Sequence, residues 1–220
     1  MKRLFLAGVA LTALAGAAAA ADLPPGPAPY YKAPVYAPPA YNWTGFYLGV
    51  NGGGGFGSSS WGSTGSFSLV GALAGGTIGY NYQIGGAVLG VEGDIDWSGM
   101  SGSTTTGCAA GCKTSDSWLS TVRGRLGYAA DRFLPYITAG GAFGDIRAST
   151  PGFAGGSTTN AGWTVGAGLE FALAGRWTAR AEYLYVDLGN FNCGVGCGPA
   201  AVNRVSFTDN ILRAGFDYRF

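Results

Sequence analysis

Ala87-Val88-Leu89-Gly90-Val91-Glu92-Gly93-Asp94-Ile95-Asp96-Trp97 changes character at nearly every step. Ala87, Leu89, Val91, Gly93, Ile95 and Trp97 share one parity, while Glu92, Asp94 and Asp96 share the other. A period of two marks a β-strand, because successive side chains leave opposite faces of the pleat. The rule recurs outward along the chain. Residues 117–128 set Trp118, Val122, Leu126 and Tyr128 against Arg123 and Arg125. Residues 176–188 set Trp177, Ala179, Ala181, Tyr183 and Tyr185 against Arg180 and Glu182. Residues 205–220 set Leu212, Ala214, Phe216, Tyr218 and Phe220 against Arg213, Asp217 and Arg219, and Glu170 holds the polar parity of 161–172. With 44–56, 69–82, 86–98 and 133–147 there are eight segments, and their apolar parity carries no charge before Asp187.

The connections alternate in length. Those at 83–85, 129–132 and 173–175 are short, and the others are long and rich in Gly, Ser and Thr. An antiparallel meander then gathers short turns at one end and long loops at the other, as in an eight-stranded up-and-down transmembrane β-barrel. Alternation alone leaves open which face is outward, since a lipocalin-like barrel would put its apolar face inside. Charge decides it. Asp, Glu, Lys and Arg make up only 11% of the chain, against roughly 25% in an ordinary soluble domain. The charged parity is nearly balanced between the acids Glu92, Asp94, Asp96, Glu170, Glu182 and Asp217 and the cations Arg123, Arg125, Arg180, Arg213 and Arg219. That set suits a narrow lumen closed by ion pairs. Aromatics bracket the apolar face: Tyr80, Tyr82, Tyr128, Tyr136, Trp177 and Tyr218 near the short turns, Trp97, Trp118 and Trp163 near the long loops. A bilayer selects such paired girdles at its two interfaces. The 41 glycines relieve crowding inside a tightly curved wall, although around 52–60 they also fit a flexible loop. To seal the sheet, the last strand must pair with the first around Phe46–Val50, since lipid satisfies no open edge.

The ends have other compositions. Lys2 and Arg3, the apolar run Leu4–Leu14 and Ala19-Ala20-Ala21 form a secretory signal over residues 1–21, with cleavage before Asp22. Residues 22–40 hold seven of the ten prolines, a linker that serves as a spacer or as a tether to peptidoglycan. Residues 41–220 form the barrel.

Several stretches resemble the small outer-membrane barrel proteins of alphaproteobacteria, described as outer membrane immunogenic or porin-family proteins. They are Tyr41-Asn42-Trp43-Thr44-Gly45-Phe46-Tyr47, Gly124-Arg125-Leu126-Gly127-Tyr128, Leu134-Pro135-Tyr136, Ala181-Glu182-Tyr183 and Arg213-Ala214-Gly215-Phe216-Asp217-Tyr218-Arg219-Phe220. The resemblance implies an OmpA-like eight-stranded barrel in the bacterial outer membrane without a separate peptidoglycan-binding domain. The four cysteines depart from the family pattern.

Those cysteines form two C-x₃-C units, Cys108/Cys112 and Cys193/Cys197. An oxidising compartment makes disulfides the default. Local pairing within each unit is the first expectation, bridges between the two loops the second, and a four-thiolate zinc site the third. With no His, the usual general base and commonest metal ligand are missing. No phosphate-binding Gly-x-x-x-x-Gly-Lys-Ser/Thr occurs. Glu92, Asp94 and Asp96 read as ion-pair partners of Arg123 and Arg125 on the adjoining strand, because a buried charge needs a partner. No enzyme activity, cofactor or metal is expected, and a formal net charge of +1 gives no footprint for nucleic acid. The leading expectation is a structural and surface-interaction protein with a charge-filled lumen. The alternatives are a small-solute porin, or an adhesin or haem-binding protein acting through its loops on host or extracellular ligands. Its partners are outer-membrane lipid and, through the alternating aromatic end Phe216, Tyr218 and Phe220, the barrel-assembly machinery.

Overall fold

The computed structural model describes residues 41–61, 65–106, 111–152, 156–191 and 205–220. The expectations for residues 1–40 and for Cys108, Cys193 and Cys197 lie outside them. Nine strands follow one another: β1 (Gly45–Trp61), β2 (Gly65–Ile84), β3 (Ala87–Ser98), β4 (Ser101–Thr104), β5 (Cys112–Tyr128), β6 (Phe133–Ser149), β7 (Gly156–Ala172), β8 (Trp177–Phe191) and β9 (Val205–Arg219). All pairings are antiparallel, and the ring closes where β1 pairs with both β2 and β9. The seam includes Val50↔Phe216 and Leu48↔Tyr218, as the closure argument requires. Short β4 continues the line of β3 past Gly99 and Met100, pairing with the same two neighbours, so the barrel has eight staves.

The tight turns owe their shape to single residues. Gly85 and Gly175 adopt φ of 60° and 64°, and Asp131 adopts 54°. This left-handed region suits glycine best and aspartate next.

The inside-out reading holds. Leu89, Val91, Ile95, Trp97, Val122, Leu126, Leu212 and Phe216 are exposed outward, whereas Glu92, Asp94, Asp96, Arg123, Arg125 and Arg213 are buried inward. The exposed apolar runs extend from Phe46 to Phe56 on β1, Leu89 to Trp97 on β3 and Leu212 to Phe220 on β9. They match the ~9–11 residues a tilted strand needs to cross the hydrocarbon. Ring pairs Phe46–Tyr80, Phe133–Phe171 and Trp177–Tyr218 mark one border, and Trp163–Tyr185 the other.

Two expectations are corrected. The strands run well past the membrane at the loop end: β1 has 17 residues and β2 has 20, so only residues 62–64 separate them, where a long loop was expected. Glycine did not end β1, because its ladder to β2 and β9 continues through Gly52–Gly55 and Ser58–Ser60. Second, Tyr136 is an inward residue, 4% exposed, and does not belong to the girdle. The reason is that both parities of β6 are apolar in its lower half. Phe133, Pro135 and Ile137 face lipid, Leu134 and Tyr136 face the lumen, and Asp145 and Arg147 lie on the outward parity beyond Phe143.

Candidate functional site

The lumen is stacked in three levels. At the turn end, Trp43, Val88, Leu134 and Ala172 form a small apolar cluster with Tyr41 and Ala129 against it. Trp43 is fully buried there. Its backbone N–H donates to Gln83 Oε1 at 2.8 Å, and its indole N–H donates to the Asp131 carbonyl at 3.1 Å. Arg219 lies over its ring at 4.7 Å and donates to its carbonyl at 2.7 Å. The segment before β1 is thereby tucked under the barrel mouth as a stopper.

Above it sits the charged level, to which alternation delivers all eleven residues named from the sequence, each no more than 5% exposed. Arg123 is its hub: it is paired with Glu92, lies 2.7 Å from Asp94 and 2.9 Å from Glu182, and donates from Nε to Thr121 at 2.8 Å. Arg213 reaches Asp96 at 2.6 Å, Glu182 at 2.8 Å and Asp94 at 3.0 Å. Arg180 pairs with Glu92, donates to Thr77 at 2.9 Å and lies 3.5 Å from Asp217. Glu170 is gripped by Arg125 at 2.8 Å, Arg219 at 2.9 Å and the Thr178 hydroxyl at 2.7 Å. The adjoining-strand pairing therefore exists for Glu92 and Asp94, while Asp96 finds its cation on β9. In the ring order β3 and β8 stand four staves apart, directly opposite each other. The Arg180–Glu92 pair spans that diameter, and Arg123 of β5, three staves from β8, reaches Glu182 across the lumen, so side chains from opposing walls meet in the middle. Buried charges are tolerable only in such interlocked, hydrogen-bonded sets.

Sequence reasoning missed two tyrosines that complete this level. Tyr47 donates to Glu92 at 2.7 Å and accepts from Arg125 at 3.1 Å. Tyr136 donates to Glu182 at 3.0 Å, and its ring carries the Arg125 guanidinium 3.9 Å from its centre. Both rings lie flat on the wall across from glycine. A methyl at Gly79 would fall inside the Tyr47 ring, and one at Gly168 inside that of Tyr136. For Tyr47 the signal was available, since it shares the parity of inward Asn51; for Tyr136 no charge in the lower half of β6 marked the inward face.

The third level, toward the loops, was not foreseen. It is a hydrophobic core of Leu69, Met100, Leu119, Ile146, Leu184, Phe207, Ile211 and their neighbours. It begins at the upper edge of the lipid-facing band and continues into the strand ends beyond it. Cys112 is buried in it and disulfide-bonded; its partner lies outside the described residues. Two carboxylates, Asp116 and Asp209, are buried beside this core. Among the described residues no group of three or more His, Cys, Asp or Glu is placed to hold a metal ion.

Comparison with known proteins agrees with this architecture. The family described as "Outer membrane protein beta-barrel domain" matches residues 7–220. The 31 kDa outer-membrane immunogenic protein of Brucella melitensis is 34% identical over 245 aligned residues, covering 100% of both chains. The 25 kDa outer-membrane immunogenic protein of Brucella canis is 33% identical and covers 100% of this chain and 99% of its own. The 22 kDa outer membrane protein of Rhizobium leguminosarum bv. viciae is 36% identical over 86% of this chain and 82% of its own. Among solved structures, Neisserial surface protein A superposes with a TM-score of 0.47 and 19% identity, over 80% of this chain and 98% of that one.

Proposed function

We propose, on the premise that this chain belongs to the outer membrane protein beta-barrel domain family, that it is a plugged barrel whose work is structural and done at the surface. It resides in the bacterial outer membrane. The observation that carries the reading is the interlocked charged level, with Arg180–Glu92 bridging opposite staves and Arg123–Glu182 crossing the lumen between staves three apart. An ion crossing it would have to displace a buried guanidinium from two or three carboxylates at once. The stopper at Trp43 and the core around Phe207 and Ile211 add apolar barriers below and above. Catalysis is not part of the proposal: the lumen carboxylates already serve arginines, and the chain has no His.

Planar-bilayer recording tests it. The refolded protein should be electrically silent, while an emptied variant, Arg123→Ser with Arg213→Ser and Glu182→Ser, should give open-channel steps. Steady unitary conductance from the unmodified protein would replace this reading with the small-solute porin.

A further inference from the structure

Among the described residues the outward face carries only two basic side chains at the loop end, Lys113 on β5 and Arg147 on β6, and the register sets them side by side. Ser115 is the cross-strand partner of Arg147, and Ser149 that of Lys113, so the two cations are diagonal neighbours on one face. The next strands add a hydroxyl on either flank, with Ser103 of β4 opposite Lys113 and Ser157 of β7 opposite Arg147. Arg147 is tied to Asp145, which accepts from its Nε at 2.9 Å, and its side chain remains 61% exposed. Asp145 itself is only 14% exposed, so the outer surface of the patch is cationic and hydroxylic.

Height gives the patch its meaning. Arg147 is four residues beyond Phe143, an outward ring at the upper edge of the apolar band. A strand rising ~3.3 Å per residue at the ~40° tilt of such barrels puts its Cα about 10 Å above that edge. Long basic side chains bend back toward the interface, which brings Arg147 to the depth of a lipid's polar head, with Lys113, paired with Ser149, about 5 Å higher among its sugars. Guanidinium, ammonium and serine hydroxyls are together the donor set that phosphate takes.

We propose that Lys113 and Arg147, with the hydroxyls of Ser103, Ser115, Ser149 and Ser157, dock a phosphorylated sugar head of the outer-leaflet glycolipid while its acyl chains lie along the β5–β6–β7 wall. The full chain, refolded in phosphatidylcholine vesicles carrying diphosphoryl lipid A, is extracted in mild detergent and the glycolipid that stays bound is counted by native mass spectrometry. Lipid A should be retained, and K113Q/R147Q should lower its retention about tenfold or more, because both charge-assisted bonds to phosphate are lost. R132Q/R176Q, which removes two exposed arginines at the turn end, should leave it unchanged. D145N should retain at least as much as the unmodified protein, because it removes a competing acid. Excess inorganic phosphate should not displace the lipid; displacement would mean that the patch holds free anions. Equal retention of lipid A stripped of both phosphates, or undiminished retention by a K113Q/R147Q protein shown to be folded by its heat-dependent gel migration, would overturn the proposal.

Discussion

Arg123 shows most clearly what a single residue contributes. Its guanidinium serves Glu92, Asp94 and Glu182, three acids from two facing strands. Replacing it with Ala leaves those carboxylates buried and short of a cation, a loss expected at about 3–5 kcal/mol. Reversal to Glu should be worse, because a fourth acid joins the three. Urea titration of the refolded barrel in vesicles reads both variants, and an unchanged midpoint for Arg123→Glu would mean that the charges do not share one lumen. Gly79→Ala probes the same level from the other wall. Its methyl would collide with the Tyr47 ring, and overpacking of this kind costs about 1–3 kcal/mol. The double variant Gly79→Ala with Tyr47→Ala should recover the packing part of that loss, which a cycle of urea midpoints would show as coupling.

At the scale of the strand, outward position and height decide what a substitution does. Val122→Arg places a charge on the lipid face near mid-band, where it costs roughly 2–4 kcal/mol. Ser66→Arg, exposed on the same wall beyond the band, should be tolerated within about 0.5 kcal/mol. Equal folding yields for Val122→Arg and Ser66→Arg in vesicles would contradict the assignment of faces. Legibility in the sequence follows the same geometry. Strand parity is legible wherever one face holds charge, as in β3, β5, β8 and β9, and there the charged face is the buried one. It failed in β6, where Leu134 and Tyr136 are as apolar as Phe133 and Ile137 and only Asp145 and Arg147, already outside the lipid, offered a mark. The strand ends beyond the membrane were also hidden. On β1 and β2 their outward residues, such as Ser58, Ser66 and Ser68, read as loop, while the inward set around Leu69, Phe207 and Ile211 resembles any apolar run. Cross-lumen partners such as Arg213 and Asp96 depend on the closed ring, which no local pattern encodes.

For the whole molecule the seam between β1 and β9 is where the first and last strands close the ring. It runs from Tyr47↔Arg219 to Trp61↔Val205, and the Phe220 N–H adds a bond to the Phe46 carbonyl at 3.0 Å. Phe220 is itself exposed outward, with Tyr218 5.3 Å away. Its deletion should therefore cost little when the purified chain refolds into detergent. If the terminal aromatics are also read by the assembly machinery, the same deletion should cut barrel assembly in cells far more, and equal losses in the two assays would leave packing as the only role. The ladder-bonded collar formed where β1, β2, β5, β6 and β9 outrun the lipid has a consequence for immunity. By the strand rise and tilt it lifts a ladder-bonded wall on the order of 15 Å clear of the hydrocarbon, tall enough to fill much of the ~800 Å² that an antibody covers. Determinants on that wall are assembled from several strands and vanish when the ring opens. Sera raised against the folded protein should lose most of their titre on boiled protein, while sera raised against linear loop peptides should keep theirs.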